Sequence, residues 1–190
     1  MEPADCIQRP GAHYRRCAAP APLPALLAAA LLATALSGCG GGEAVRKPPP
    51  RAAARDWPTV APADPARANA VLMRAISLVG TPYRYGGNTP ESGFDCSGLV
   101  GYVFRDMLNL QLPRTTRELA ALQGPRIRPD RLAGGDLVFF GRGGEVTHVG
   151  IYVGQGRFVH APSSGGTVRL DHLDGSWWNE HYSGARRLLP

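Results

Sequence analysis

The sequence predicts an α+β domain in which helices come first and an antiparallel sheet follows. Apolar residues recur at helical spacing from Ala68 to Val79 and again from Leu99 to Leu108. From Leu137 onward the period changes to short runs rich in Val, Ile, Phe, Tyr and Leu, separated by Gly-rich turns. Helices followed by hairpins fit one helical layer packed on one face of a sheet. At the junction stands Asp95-Cys96-Ser97-Gly98, where a helix-capping residue type places a cysteine in the first turn of a buried helix.

The 190-residue chain exceeds the need of one ordinary domain, and the surplus lies at the front. Arg9, Arg15 and Arg16 precede an apolar run from Leu23 to Leu36, so residues 1–38 read as a targeting segment. That run is shorter than the roughly 20 residues a spanning helix needs. Leu36-Ser37-Gly38-Cys39 resembles the lipobox of bacterial lipoproteins, which implies that Cys39 is lipidated and anchors the chain to a membrane; Gly40 after it suggests the outer membrane, facing the periplasm. The competing reading is a plain secretory signal. Residues 39–66 turn Gly-rich and then Pro-rich, a composition that favours a semi-rigid tether. Trp57 within it either docks on the domain or touches the membrane. The domain itself is expected over residues 67–190.

Its elements follow in order. Asp64-Pro65 reads as an N-cap with Pro at the first helical position, and Ala68, Val71, Leu72, Ala75, Ile76 and Val79 share one face up to Gly80. A loop through Tyr83 and Gly86-Gly87 leads to the helix at Cys96, whose inward face is Leu99, Val100, Val103, Phe104, Met107 and Leu108. Thr115 and Glu118 form a capping-box pattern for a short helix through Leu122, which accounts for Thr115 and Thr116 structurally. Strands are expected at 137–140, 146–153, 157–161, 167–170 and 185–189.

Of Cys6, Cys17, Cys39 and Cys96, the first two leave with the signal and the third carries lipid, so one thiol remains. A lone thiol in an oxidising compartment is a liability unless it has a use. Cys96 is therefore a candidate nucleophile, its negative form favoured by the helix dipole, or else it packs as a small hydrophobe. The formal charge is +6; removing Arg9, Arg15, Arg16, Glu2 and Asp5 leaves 18 basic against 13 acidic residues. That balance suits an anionic wall or membrane surface. Nucleic acid is not indicated, since the arginines are scattered without interleaved aromatics.

Of the five histidines, His13 leaves with the signal, while His172 and His181 lie in polar stretches where a surface position is expected. His148 and His160 sit inside apolar strands joined by Gly154-Gln155-Gly156. A three-residue loop pairs residues whose numbers sum to 310 and puts both imidazoles on one face; a two-residue loop would separate them. A cysteine at a helix terminus and two neighbouring histidines suit a thiol hydrolase, in which one imidazole takes the thiol proton and a second group orients it. A zinc site and two core histidines are the other readings, although the close ligand pairings of usual zinc motifs are missing.

Asp95-Cys96-Ser97-Gly98, His148-Val149-Gly150-Ile151-Tyr152, His160, Pro82-Tyr83-Arg84-Tyr85-Gly86-Gly87, Pro113-Arg114-Thr115 and Gly135-Asp136-Leu137-Val138 together resemble the NlpC family of papain-like cell-wall cysteine peptidases. The resemblance runs from about Ala68 to the C-terminus. It implies a papain-like fold, Cys96 as nucleophile, His148 as general base, His160 as orienting residue and Tyr83 as an aid to the oxyanion. It also implies that Asp95 and Ser97 contact substrate, beside their simpler role as cap and first-turn residues. The tether and lipid look like the single-domain murein endopeptidases of Gram-negative envelopes. The implied substrate is a peptidoglycan peptide, with no cofactor and no metal, and with Cys96 expected as thiolate paired to a protonated His148. The rival from another class is a non-enzymatic wall-binding or scaffold lipoprotein on the same fold, for which Trp177-Trp178 offers a sugar-stacking surface, although core packing is the favoured reading of that pair.

Overall fold

The computed structural model describes residues 55–164 and 166–189. The expected targeting segment, Cys39 and the first part of the expected tether lie outside these residues. Helix α1 covers Pro65–Ser77, and the Asp64 side chain accepts from the Arg67 N–H as its N-cap. It stops two residues short of Val79 because the Leu78 N–H turns back to the carbonyls of Ala75 and Ile76. Strands β1 (Asn88–Thr89) and β2 (Gly93–Phe94) form a small hairpin that feeds helix α2 (Cys96–Leu108). Asn109 closes α2 in the left-handed conformation, at φ 52°. Helix α3 (Thr116–Ala121) carries the expected capping box, with both of its reciprocal bonds made between Thr115 and Glu118. A 3₁₀ turn follows at Pro129–Arg131.

The second half holds β3 (Leu137–Arg142), β4 (Glu145–Gly154), β5 (Arg157–His160), β6 (Arg169–His172), α4 (Ser176–His181) and β7 (Tyr182–Arg186). The five strands make one antiparallel sheet in the order β6-β5-β4-β3-β7. Two strands differ from the pattern read in the sequence. β6 begins two residues late because Val168 bonds instead to the turn that follows α1, donating to Thr81 O at 2.7 Å and accepting from Gly80 N at 2.8 Å. β7 begins three residues early, and Leu189 beyond it packs into the helix-side core rather than extending the strand. Helix α4 was not expected, since six residues are too few to show a helical period.

The alternation of the strands builds two cores. Leu137, Phe139, Val149, Ile151 and Val159 face the helices, where they pack with Val71, Ala75, Leu99, Val100, Val103 and Phe104. Each such fully buried side chain contributes about 1.5–3 kcal/mol of burial energy. Val138, Phe140, Tyr152 and Phe158 face the other way and are covered by Leu132, Leu173, Trp178 and Trp57. Trp57 thus docks: its Nε1 donates to Asp174 Oδ2 at 3.0 Å, and its ring lies 6.4 Å from that of Tyr152. Among the described residues no helix is long and apolar enough to cross a membrane.

The turn between β4 and β5 decides where the histidines point. Gln155 and Gly156, both at positive φ, form a two-residue loop in which Gly154 faces Arg157, not the expected three-residue loop. A bulge between Tyr152 and Gly154 then restores the pairing, so Ile151 faces Val159 and Tyr152 faces Phe158. The extra residue in the strand does what an extra residue in the loop would have done. His148 and His160 accordingly stand side by side.

Candidate active site

The start of α2 is fastened by one carboxylate. Asp95 is buried, and its side chain accepts from Gly98 N at 2.7 Å, Gly86 N at 2.9 Å and Ser97 Oγ at 3.2 Å. Arg114 grips the same carboxylate with both terminal nitrogens, at 2.9 and 2.7 Å, and also donates to Ser97 Oγ at 2.8 Å. Burial alone would raise the Asp95 pKa, but the Arg114 and backbone hydrogen bonds outweigh it and hold the group below the ordinary carboxylate range. The predicted cap role of Asp95 is therefore present in the geometry, and Arg114 is the partner the sequence did not reveal.

Cys96 follows as the first residue of α2, with a free, half-buried thiol. As a first-turn residue it has a backbone N–H with no carbonyl to pair with inside the helix. Its Sγ lies 3.4 Å from Thr116 Oγ1. The capping box uses the hydroxyl of Thr115 and leaves that of Thr116 free for the sulfur. Tyr83 packs on the same core cluster as Cys96, and its backbone bridges to Phe94 at the entrance to α2. Burial, and then the acidic neighbours Cys96 and Asp95, push the Tyr83 pKa up, so its hydroxyl remains a donor at neutral pH.

The histidines form the other half. His148 Nε2 and His160 Nδ1 are 2.9 Å apart, and His160 Nε2 is 3.1 Å from Asp171 Oδ2. Trp178 covers both rings, its centroid 5.5 Å from His148 and 4.7 Å from His160, with Phe140 and Phe158 behind them. The two nitrogens bonded to each other are not free for a metal, and among the described residues no group of three His, Cys, Asp or Glu side chains is gathered as a metal site. The helix that carries Cys96 packs on the strand that carries His148. Among the described residues, however, the thiol makes its hydrogen bond with Thr116 and none with His148.

One sequence expectation changes here. Burial, aided by the neighbouring His160, lowers the His148 pKa to about 3, and burial lowers that of His160 to about 4 against the pull of Asp171. Both rings are neutral at pH 7, so the resting site holds a neutral base and not the expected imidazolium. The aromatic cover that shields the pair also removes the water that would stabilise its charge.

Acid sensitivity follows from the same shifts. The unfolded histidines titrate near 6.5, above the folded values, so below that pH the unfolded chain binds more protons and stability falls. We expect the loss to begin near pH 6.5 and to continue to about pH 4 for His160 and about 3 for His148. Urea midpoints between pH 7 and 4 should report on the order of 2–3 kcal/mol lost through His160. A midpoint that stays constant over that range would contradict the burial described.

Asp171, which bonds His160, escaped the sequence reading. Trp178, in the sequence one of a pair suited to sugar stacking or core packing, packs on both histidines, whereas His181, expected at the surface, is buried with its ring stacked on Trp177 at 4.0 Å. Of the Trp177-Trp178 pair, Trp178 packs on the sheet, whereas Trp177 is 49% exposed. A groove of about 400 Å³ opens beside His148, lined among others by Thr147, Ser163, Arg169, Trp177 and Trp178.

Comparison with known proteins places this arrangement. The model of the NlpC/P60 family matches residues 80–187, which include all four of Cys96, Tyr83, His148 and His160. "Probable endopeptidase NlpC" of Escherichia coli strain K12 is 44% identical over 160 residues, covering 83% of this chain and 96% of that protein. "Murein DD-endopeptidase MepH" of the same organism is 41% identical over 121 residues; that match covers 62% of this chain, which spans only 45% of MepH's length. Among solved structures, the NlpC/p60 domain of the peptidoglycan hydrolase SagA superposes with a TM-score of 0.57 at 30% identity, covering 64% of this chain and 98% of that one. The family match over more than half of the chain, and a relative aligned along nearly its whole length, agree with the papain-like α+β fold described above: the chain belongs to the NlpC/P60 family.

Proposed function

We propose that the protein is a lipid-anchored cysteine endopeptidase that hydrolyses peptide bonds in peptidoglycan stems or cross-links. The observation that carries this reading is the hydrogen bond between His160 and His148, the latter on β4, against which the Cys96 helix packs. The names of the NlpC and MepH relatives supply the substrate class. In the mechanism, His148 takes the proton of Cys96, and the thiolate attacks the scissile carbonyl carbon. The tetrahedral oxyanion receives the Cys96 backbone N–H and the Tyr83 hydroxyl. His148 returns its proton to the departing amine, the C–N bond breaks, and water then cleaves the thioester. The step requires Sγ to turn from Thr116 to His148, a tightening of the kind that substrate binding brings. His160 orients the base. No cofactor enters the scheme. Asp95 is already saturated by its internal donors, so its contact with substrate, and that of Ser97, is proposed to run through Arg114, whose side chain is 44% exposed.

Incubation of purified peptidoglycan with the protein, followed by mass spectrometry of the muropeptides, tests the reading. New fragments are expected whose masses sum to that of the parent plus one water per bond broken. Binding to the wall with every bond left intact would transfer the function to the rival, a wall-binding protein on the same fold. The fragments also decide between the γ-D-glutamyl–diaminopimelate bond of a stem and the D-alanyl–diaminopimelate bond of a cross-link.

The anchor belongs to the same proposal. Residues 1–38 act as the signal, Cys39 carries the lipid, and the tether expected over 39–66 ends before the docked Trp57 and the Asp64 cap of α1; it holds the enzyme at the outer membrane facing the periplasm. Cys39→Ser should release the protein from membranes or block its processing. A Ser variant that fractionates and is processed like the parent would remove the anchor from this account.

A further inference from the structure

We propose that Asp171 is a positioning residue that fixes which nitrogen of each histidine carries a proton, and so leaves Nδ1 of His148 bare as the base. The proposal rests on the peptidase reading above and follows from the order of donors and acceptors. A carboxylate only accepts hydrogen bonds, so the 3.1 Å contact between His160 Nε2 and Asp171 Oδ2 requires the proton on Nε2. A neutral His160 then has only a lone pair at Nδ1. His148 Nε2, 2.9 Å from that lone pair, must be the donor. The remaining nitrogen of His148, Nδ1, is left without a proton.

Asp171 is equipped for this task. It sits on β6 opposite Phe158, two residues along from the position that faces His160. The same Oδ2 receives Arg169 Nη2 at 2.9 Å and Trp178 Nε1 at 2.9 Å. Burial would raise the Asp171 pKa, but Arg169, His160 and Trp178 together hold it below the ordinary range, so it remains an acceptor at neutral pH. Trp178 completes the arrangement by lying edge-on to His160 while its N–H holds the carboxylate in place. The groups around the pair are thus Asp171, Arg169, Trp178, Phe140 and Phe158, and only Asp171 is a formal acceptor for His160. An asparagine at position 171 keeps a carbonyl oxygen for these donors, because an amide N–H₂ in the place of Oδ2 would meet the N–H groups of Arg169 and Trp178. An alanine there removes the acceptor, frees the His160 proton to move to Nδ1, and in that form turns His148 Nε2 into an acceptor and places a proton on the nitrogen that must act as base.

The test is nitrogen NMR of the full chain labelled with ¹⁵N-histidine at pH 7, read beside hydrolysis of purified muropeptides. In the wild type both His148 and His160 should carry their protons on Nε2. Asp171→Ala should leave both histidines with a large Nδ1-protonated population and lower kcat on the order of 10²-fold, with KM changed by less than about threefold, whereas Asp171→Asn, which keeps an acceptor, should keep the wild-type tautomers. Asp171→Glu should restore the wild-type tautomers and most of the activity, which a purely structural role for Asp171 does not require. A His160 protonated on Nδ1 in the wild type overturns the proposal, whether or not any variant folds. So does an Asp171→Ala chain whose tautomers and kcat match the wild type. Wild-type protein with the expected tautomers but no hydrolysis would support the proton assignment and overturn the peptidase reading instead.

Discussion

Cys96→Ala should lower hydrolysis of peptidoglycan peptides by about 10⁴-fold or more while leaving the fold intact. The size of the loss follows from the mechanism, because the neighbouring hydroxyl of Ser97 is held by Asp95 and Arg114 and is a far weaker nucleophile than a thiol. The fold should survive because Cys96 contributes little to it. Its side chain is half-buried, its sulfur meets Thr116 Oγ1 at 3.4 Å, and the N-cap bonds of α2 belong to Asp95. Loss of one sulfur atom from such a place costs about 1 kcal/mol or less. Thermal melts should therefore differ by only a few degrees between parent and variant. A variant that melts normally and still cleaves would remove Cys96 from the chemistry.

The largest effect on stability is expected at Gly98. A Cβ there would lie 2.0 Å from the Gly87 carbonyl oxygen and 3.0 Å from Asp95 Oδ1. The Gly87 carbonyl in turn accepts from Asp95 N at 3.1 Å and from Arg114 Nη2 at 3.4 Å. Pushing that loop aside would loosen the whole fastening around Asp95. Gly98→Ala should cost about 3 kcal/mol or more, net of the roughly 1 kcal/mol by which Ala favours a helix. For a domain of this size that is a fall in Tm of roughly 10 °C. Gly101, one turn further along α2, provides the contrast: a Cβ there has nothing within 4 Å, so Gly101→Ala should raise stability by about 0.5–1 kcal/mol. Equal melting temperatures for the two variants would contradict the close approach of the Gly87 loop.

These effects also mark what was legible in the sequence. Helix α2 was, because a capping residue and an apolar period both act over neighbouring residues, and Asp95 and Leu99 to Leu108 suffice to show them. The facing of His148 and His160 was also legible, although by a route the loop length alone did not show. The two-residue turn and the bulge at Val153 compensate, and the pairing that sums to 310 is preserved at Ile151 and Tyr152. What stayed hidden depends on residues far apart in the chain. Arg114 reaches Asp95 across 19 residues, and His160 reaches Asp171 across 11, with no local pattern to announce either contact. Thr116 was hidden differently: its neighbour Thr115 explained the capping box, and nothing local says where the spare hydroxyl points. The burial of His181 had a local signal, its stacking on Trp177 four residues earlier, which a polar stretch disguised. The expected imidazolium failed for a related reason, since the aromatic cover over His148 is assembled from Phe140 and Trp178 on separate elements.

The central claim is that the thiol of Cys96 performs the hydrolysis, and it can be measured without altering the sequence. The protein is treated with iodoacetamide for increasing times, and the alkylated fraction is read by mass spectrometry of the tryptic peptide that contains Cys96. The same samples are assayed for cleavage of a purified cross-linked muropeptide. Activity should fall in direct proportion to the alkylated fraction of Cys96 and reach zero when labelling is complete, with substrate slowing the labelling. A fully alkylated Cys96 peptide in a sample that cleaves at the untreated rate would contradict that claim.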